Sequence, residues 1–213
     1  MLCNLEIELK NRHRYPYKWY RKQNDLWDSY TNFIYREDSF DKIMRSIQTT
    51  SENLNLPFDE VFQYAANRWY NFWSAQAVEF IFSEMENVVP VKETKDREKD
   101  FYLSGFPFDH KTSVFPKKFG KPFDYARANK SELIVWLYKN QSSQQRHHFK
   151  NRLFIVVYDQ NGAHWKLKAE LSLLKVTIEK FAADFRPEQL HSFSIGGRKF
   201  LSDVIWVSAD LPI

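Results

Sequence analysis

Cysteine is almost absent from this chain of 213 residues: the single Cys3 excludes an internal disulfide, and no Cys/His grouping has the spacing of a zinc site. That usage fits a reducing, cytoplasmic setting. No apolar run reaches membrane-spanning length and residues 1–20 carry charges throughout, so neither a transmembrane helix nor a signal peptide is expected. Glycine is scarce, at five residues, and no low-complexity tract or internal repeat is visible, which excludes repeat and linker-like architectures. What is abundant is ring structure, with 17% aromatic residues, enough to build a packed core. The net charge of +4 and a pI near 9.0 are compatible with a polyanionic partner without requiring one.

The most informative stretch is Asp100 to Lys111, Asp-Phe-Tyr-Leu-Ser-Gly-Phe-Pro-Phe-Asp-His-Lys. Ser104-Gly105 between two short ring-rich runs predicts a β-hairpin with a two-residue loop, setting Leu103 against Phe106, Tyr102 against Pro107, Phe101 against Phe108 and Asp100 against Asp109. Alternation then puts Phe101, Leu103, Phe106 and Phe108 on one face and Asp100, Tyr102, Asp109 and Lys111 on the other. Two facing carboxylates repel unless something positive sits between them, and a hard cation such as Mg²⁺ accepts such oxygen ligands. The plainer alternative is a solvent-facing hairpin whose aspartates are neutralised by Lys111.

Around this stretch the chain reads as follows. Residues 10–22 interleave Lys10, Arg12, Arg14, Lys18, Arg21 and Lys22 with Tyr15, Tyr17, Trp19 and Tyr20, either a nucleic-acid surface or rings docked on the core with their charges in water. Asp25 to about Ile47 carries two helical patterns broken near Asp38-Ser39, and the polar stretch Gln48–Asn55 reads as a connection. Pro57 opens the longest helix, about Phe58 to Asn87, with Phe62, Ala66, Trp69, Trp73, Ala77 and Phe80 as its buried stripe. Glu79 sits on an apolar shoulder of that helix, where a carboxylate needs a cationic partner or a metal; an edge glutamate bonded to an arginine is the simpler option. Val88–Val91 predicts a short strand. Lys117–Pro122 reads as a mobile loop carrying Lys117, Lys118 and Lys121, followed by a helix over Glu132–Asn140. Gln141–Arg152 is basic, with Arg146, Lys150 and Arg152 as phosphate contacts or a plain surface loop. Leu153–Tyr158 is a strand covered on both faces. A helix over Leu167–Phe185, a small hairpin at residues 193–201 and a strand Val204–Val207 complete the order.

Helix, three strands, helix, strand, helix and terminal strands, together with Glu79, Asp100 and Asp109-His110-Lys111, resemble the PD-(D/E)XK nuclease superfamily. The resemblance covers roughly Phe58 to Asp159, and Lys99 stands where the fullest pattern has proline. It implies an α/β restriction-endonuclease-like core, a central mixed β-sheet flanked by helices over residues 56–213, with residues 1–55 as an N-terminal helical extension. It further implies that Asp100, Asp109 and the main-chain carbonyl of His110 hold Mg²⁺ or Mn²⁺, that Lys111 positions or deprotonates the attacking water, and that Glu79 serves a second metal or an outer water. The implied activity is metal-dependent phosphodiester hydrolysis, DNA being the expected substrate, with 5′-phosphate and 3′-hydroxyl products; a restriction-type role would bring a homodimer. Two other functions stay open: a nucleic-acid-binding module of the same fold without turnover, and a ring-rich protein-interaction domain.

Overall fold

A computed structural model describes residues 2–91, 99–140, 150–195 and 197–209. The chain divides into two compact units, one holding the residues up to Val78 with Lys168–Ser172, the other Glu79–Leu167 with the residues from Leu173 on. The fold is α/β: a mixed sheet flanked by helices, and a helical N-terminal segment. Among the described residues, no helix is long and apolar enough to cross a membrane.

The first unit contains α1 (Leu2–Asn11), α2 (Asp25–Tyr30), α3 (Phe40–Leu54) and most of α4 (Phe58–Ser83). Helix α1 falls within the expected N-terminal helical extension, at residues where no individual helix is read from the sequence. The Asn24 side chain caps α2 by accepting the Trp27 N–H at 3.0 Å. Helix α3 runs on through most of Gln48–Asn55, because Ile43, Ile47 and Ser51 continue one buried face, and it stops at Asn55 in the left-handed conformation (φ 48°). The single stripe read on α4 is too narrow, since every residue from Val61 to Tyr70 is buried. Its polar members are satisfied internally: Gln63 and Asn67 accept from Arg12 at 2.9 and 2.7 Å, and Arg68 pairs with Asp28 at 3.2 Å. The basic, ring-rich stretch after α1 is thereby in part a clasp on α4, with Tyr15 packed 4.8 Å from Phe62 and Arg21 paired with Glu60, while the cations Arg14, Lys18 and Lys22 and the residues Tyr15, Trp19 and Tyr20 are exposed.

The second unit holds the sheet: β1 (Val88–Pro90), β2 (Phe101–Leu103), β3 (Phe106–Val114), β4 (Arg152–Val157), β5 (His191–Ile195) and β6 (Arg198–Val207), in the order β1-β2-β3-β4-β6-β5. β1–β2, β2–β3 and β5–β6 are antiparallel, while β3–β4 and β4–β6 are parallel. The parallel steps require crossovers. Helices α5 (Phe123–Ala128) and α6 (Lys130–Asn140) supply the first, and α7 (Leu171–Ala183) with β5 the second. Ser104 (φ 47°) and Gly105 (φ 84°) turn the chain between β2 and β3, and two positive φ values match the right-handed twist of a tight hairpin. The expected pairs Phe101–Phe108, Tyr102–Pro107 and Leu103–Phe106 are the observed ones.

Phe115, Phe123, Leu133, Ile134, Leu137, Phe154, Val156 and Val204 join the sheet to α5 and α6 in one buried cluster. All six residues of β4 are buried, as the unbroken apolar run requires of a strand covered on both faces. Two expectations differ. The helix before β1 ends at Ser83 because Asn87 is used otherwise: its side chain donates to the Ala182 carbonyl at 2.8 Å and its own carbonyl accepts the Ser104 N–H at 2.8 Å. The small terminal hairpin is present as β5 paired with β6, but its second arm and the last strand are one long β6, in which the buried Asp203 is compensated by Lys130.

Candidate functional site

β3 and β4 run in parallel with Asp109 directly beside Arg152 and Lys111 beside Phe154. The Arg152 Nε donates to Asp109 Oδ2 at 2.5 Å, and the Lys150 ammonium lies 3.4 Å from Oδ1. The three side chains are 8%, 15% and 17% exposed for Arg152, Lys150 and Asp109, so water screens these charges only partly. The Arg152 guanidinium lies 5.9 Å from the Tyr138 ring centre and 5.8 Å from that of Phe154. Burial raises the Tyr138 phenol far above its ordinary range, and its hydroxyl donates to the Lys150 carbonyl at 2.7 Å.

The backbone carrying these cations is braced on both sides. Asn151 donates its side-chain amide to the Pro107 carbonyl at 3.2 Å and accepts the Leu201 N–H at 2.9 Å, while its own carbonyl accepts the Asp109 N–H at 3.0 Å. Ser202 donates to the Arg152 carbonyl at 2.6 Å. Two residues further along β3, Lys111 shares the Asp109 face. It makes no hydrogen bond or ion pair among the described residues. Burial and then the nearby Arg152 push its ammonium below the ordinary range, against an upward pull from Asp109.

Asp100 is held by a different partner. The β2–β3 ladder closes at Phe101–Phe108, one pair short of the expected register, because the Asp100 N–H reaches the Phe108 carbonyl at 2.8 Å. Its carboxylate Oδ2 accepts from both the His110 backbone N–H and ring Nδ1, each at 2.8 Å. Burial alone would raise the Asp100 carboxyl, but the His110 hydrogen bonds outweigh it and hold the group below its usual value. The His110 ring in turn packs 6.2 Å from Phe101 and 6.1 Å from Phe82, on the apolar side of the hairpin. Asp100 and Asp109 thus each have a basic partner of their own, His110 and Arg152, while the Lys150 ammonium, 3.4 Å from Asp109, also lowers the Asp100 carboxyl through its charge.

Glu79 is exposed on α4, its neighbours Ala77, Val78, Ile81 and Phe82 being the buried ones, so the apolar-shoulder expectation does not hold. Lys117, Lys118 and Lys121 are exposed in and after a short 3₁₀ turn, Lys117–Phe119, whose Phe119 packs against Phe115 and Trp136. Arg146 lies outside the described residues. Of the predicted site residues, the structure brings together Asp109, Lys111, Lys150 and Arg152. Tyr138, Asn151 and Ser202 complete the surroundings and were not singled out from the sequence. The signal for the last two was the parallel register, which sets the start of β4 between β3 and β6, and that register is not written in any local pattern.

The donor set does not fit a divalent metal as arranged. Among the described residues no three His, Cys, Asp or Glu side chains gather into a metal-holding group. Both Asp109 oxygens face cations, and one Asp100 oxygen is taken by His110. The chain matches no family model, no curated protein and no solved structure.

Proposed function

We propose that this protein hydrolyses phosphodiester bonds in nucleic acid, with DNA as the first substrate to test and Asp109 and Lys111 at the centre of the site. The observation that carries the reading is the placement of Asp109-His110-Lys111 on β3, between an antiparallel hairpin partner and a parallel β4 reached through helices. That arrangement agrees with the element order on which the resemblance to PD-(D/E)XK nucleases rests. Chemically, attack on a phosphodiester builds negative charge on the non-bridging oxygens, and Lys111, Lys150 and Arg152 are cations held ready to meet it. An ammonium pushed below its ordinary range, as Lys111 is, also exchanges a proton with an attacking water more readily. The Mg²⁺ or Mn²⁺ implied by the resemblance finds no cradle in the present pairings.

The test is incubation of the protein with supercoiled, linear and single-stranded DNA and with RNA, in Mg²⁺, in Mn²⁺ and in EDTA, beside Lys111→Ala. Cleavage by the wild type that disappears in the folded variant is the expected result. Equal cleavage by both would remove Lys111 from the chemistry and with it this reading. A second reading, nucleic-acid binding without turnover, is favoured by one observation, the engagement of Asp109 by two cations. It predicts salt-sensitive binding and no products under any of these conditions.

A further inference from the structure

Three cations, Lys111, Lys150 and Arg152, surround the single carboxylate of Asp109. Like charges gathered at largely buried positions repel, and Asp109 is the one carboxylate that Arg152 pairs with, while Lys150 acts on Asp100 as well. The donors are also underused. Arg152 spends its Nε on Asp109, but its two terminal nitrogens make no hydrogen bond among the described residues, and the Lys111 ammonium makes none either. A guanidinium fork matches the oxygens of a carboxylate and of a phosphate equally well. Asp109 therefore occupies part of a donor array with room for further anionic oxygens.

We infer that Lys111, Lys150 and Arg152 form a phosphodiester-binding site in which Asp109 is an internal competitor, displaced from Arg152 and Lys150 when a backbone phosphate of the nucleic acid binds. The inference rests on the proposed function for the identity of the polyanion, but not for turnover. Phosphate binding and release of the Asp109 carboxylate are one exchange: the phosphate oxygens take over the Nε and Nζ donors, and the carboxylate is freed to meet water or a cation.

The test reads binding in EDTA, where metal-assisted turnover does not intervene, by fluorescence anisotropy of a short labelled DNA duplex. Asp109→Asn removes the competitor's charge and is expected to tighten binding by about tenfold, the scale of one charge-assisted hydrogen bond. Asp100→Asn removes a charge that acts on Lys150 only through space, its carboxylate being hydrogen-bonded to His110, and is expected to shift binding by about twofold or less. Adding Lys150→Gln to Asp109→Asn should reverse part of the gain and flatten the salt dependence by about one ion. Circular dichroism melts of each variant establish that the fold is retained, and Lys150→Gln carries the test if a change at position 109 unfolds the chain. Equal gains from Asp109→Asn and Asp100→Asn, or no binding by any form, would overturn the inference. A selective gain without cleavage in Mg²⁺ supports it and sinks the hydrolase reading; cleavage without a selective gain does the reverse.

Discussion

Arg12 in the first unit and Arg152 in the second are both buried guanidiniums, 0% and 7% exposed, yet they are spent differently. Arg12 donates to the Tyr15 and Pro16 carbonyls at 3.0 and 2.9 Å and to Gln63 and Asn67, four neutral acceptors that tie the segment after α1 to α4. Burial lowers its guanidinium to about 10, which still leaves it charged at neutral pH. Arg152 meets one carboxylate and keeps its terminal nitrogens uncommitted. A cation surrounded by neutral acceptors closes a structure, whereas one balanced by a single acid beside two further cations is ready to exchange partners. The first arrangement belongs to folding and the second to binding.

Substituting each arginine is the sharpest way to break this contrast. Arg12→Ala leaves buried carbonyls and amides without their donor and should cost about 3–5 kcal/mol, read by urea unfolding. Arg152→Ala should cost only about 1–2 kcal/mol, because Lys150 stays beside Asp109, while DNA affinity falls. If Arg152→Ala proved the more destabilising of the two, the contrast would be wrong. Lys111→Ala should lower cleavage by about a hundredfold or more with the melting temperature nearly unchanged, since it has no partner among the described residues to lose. Gly105→Ala places a side chain at φ 84° and should cost about 1 kcal/mol by loosening the turn that aligns β2 with β3, read by hydrogen exchange at Phe106 and Phe108.

The smallest expected effect is on acid stability. The Asp100 carboxyl is held low by His110, so its contribution is present above the unfolded value near about pH 4 and is lost as pH falls through the lower folded value. Urea melts of wild type and Asp100→Asn should therefore converge as the pH drops below about 4. A difference that stayed constant to lower pH would separate Asp100 from this part of the pH dependence.

The hairpin register was legible because Ser104-Gly105 and the ring-rich runs carry it locally, and β4 because six consecutive apolar or covered positions fit a strand buried on both faces. The pairing of Asp109 with Arg152 was not, since it depends on which strand lies parallel to β3, a choice made by tertiary packing across more than forty intervening residues. The direction of Asp100 failed for a smaller reason: strict alternation assumes an unbroken ladder, and one N–H bonded to Phe108 ends it. Helix α3 outran its sequence reading because Ser51, polar and short, can lie on a buried face when its hydroxyl reaches the Leu56 carbonyl at 2.7 Å. Glu79 misled in the opposite sense, its apolar helical neighbours being the ones that turn inward.

Asn151 stands between Lys150 and Arg152 and spends its side chain on both flanking strands. The main chain beneath the two cations is thereby pinned, and only their side chains are left to swing. Handing Asp109 over to an incoming phosphate is then a matter of side-chain rotation alone, and capture at this site calls for no movement of the strands beneath it.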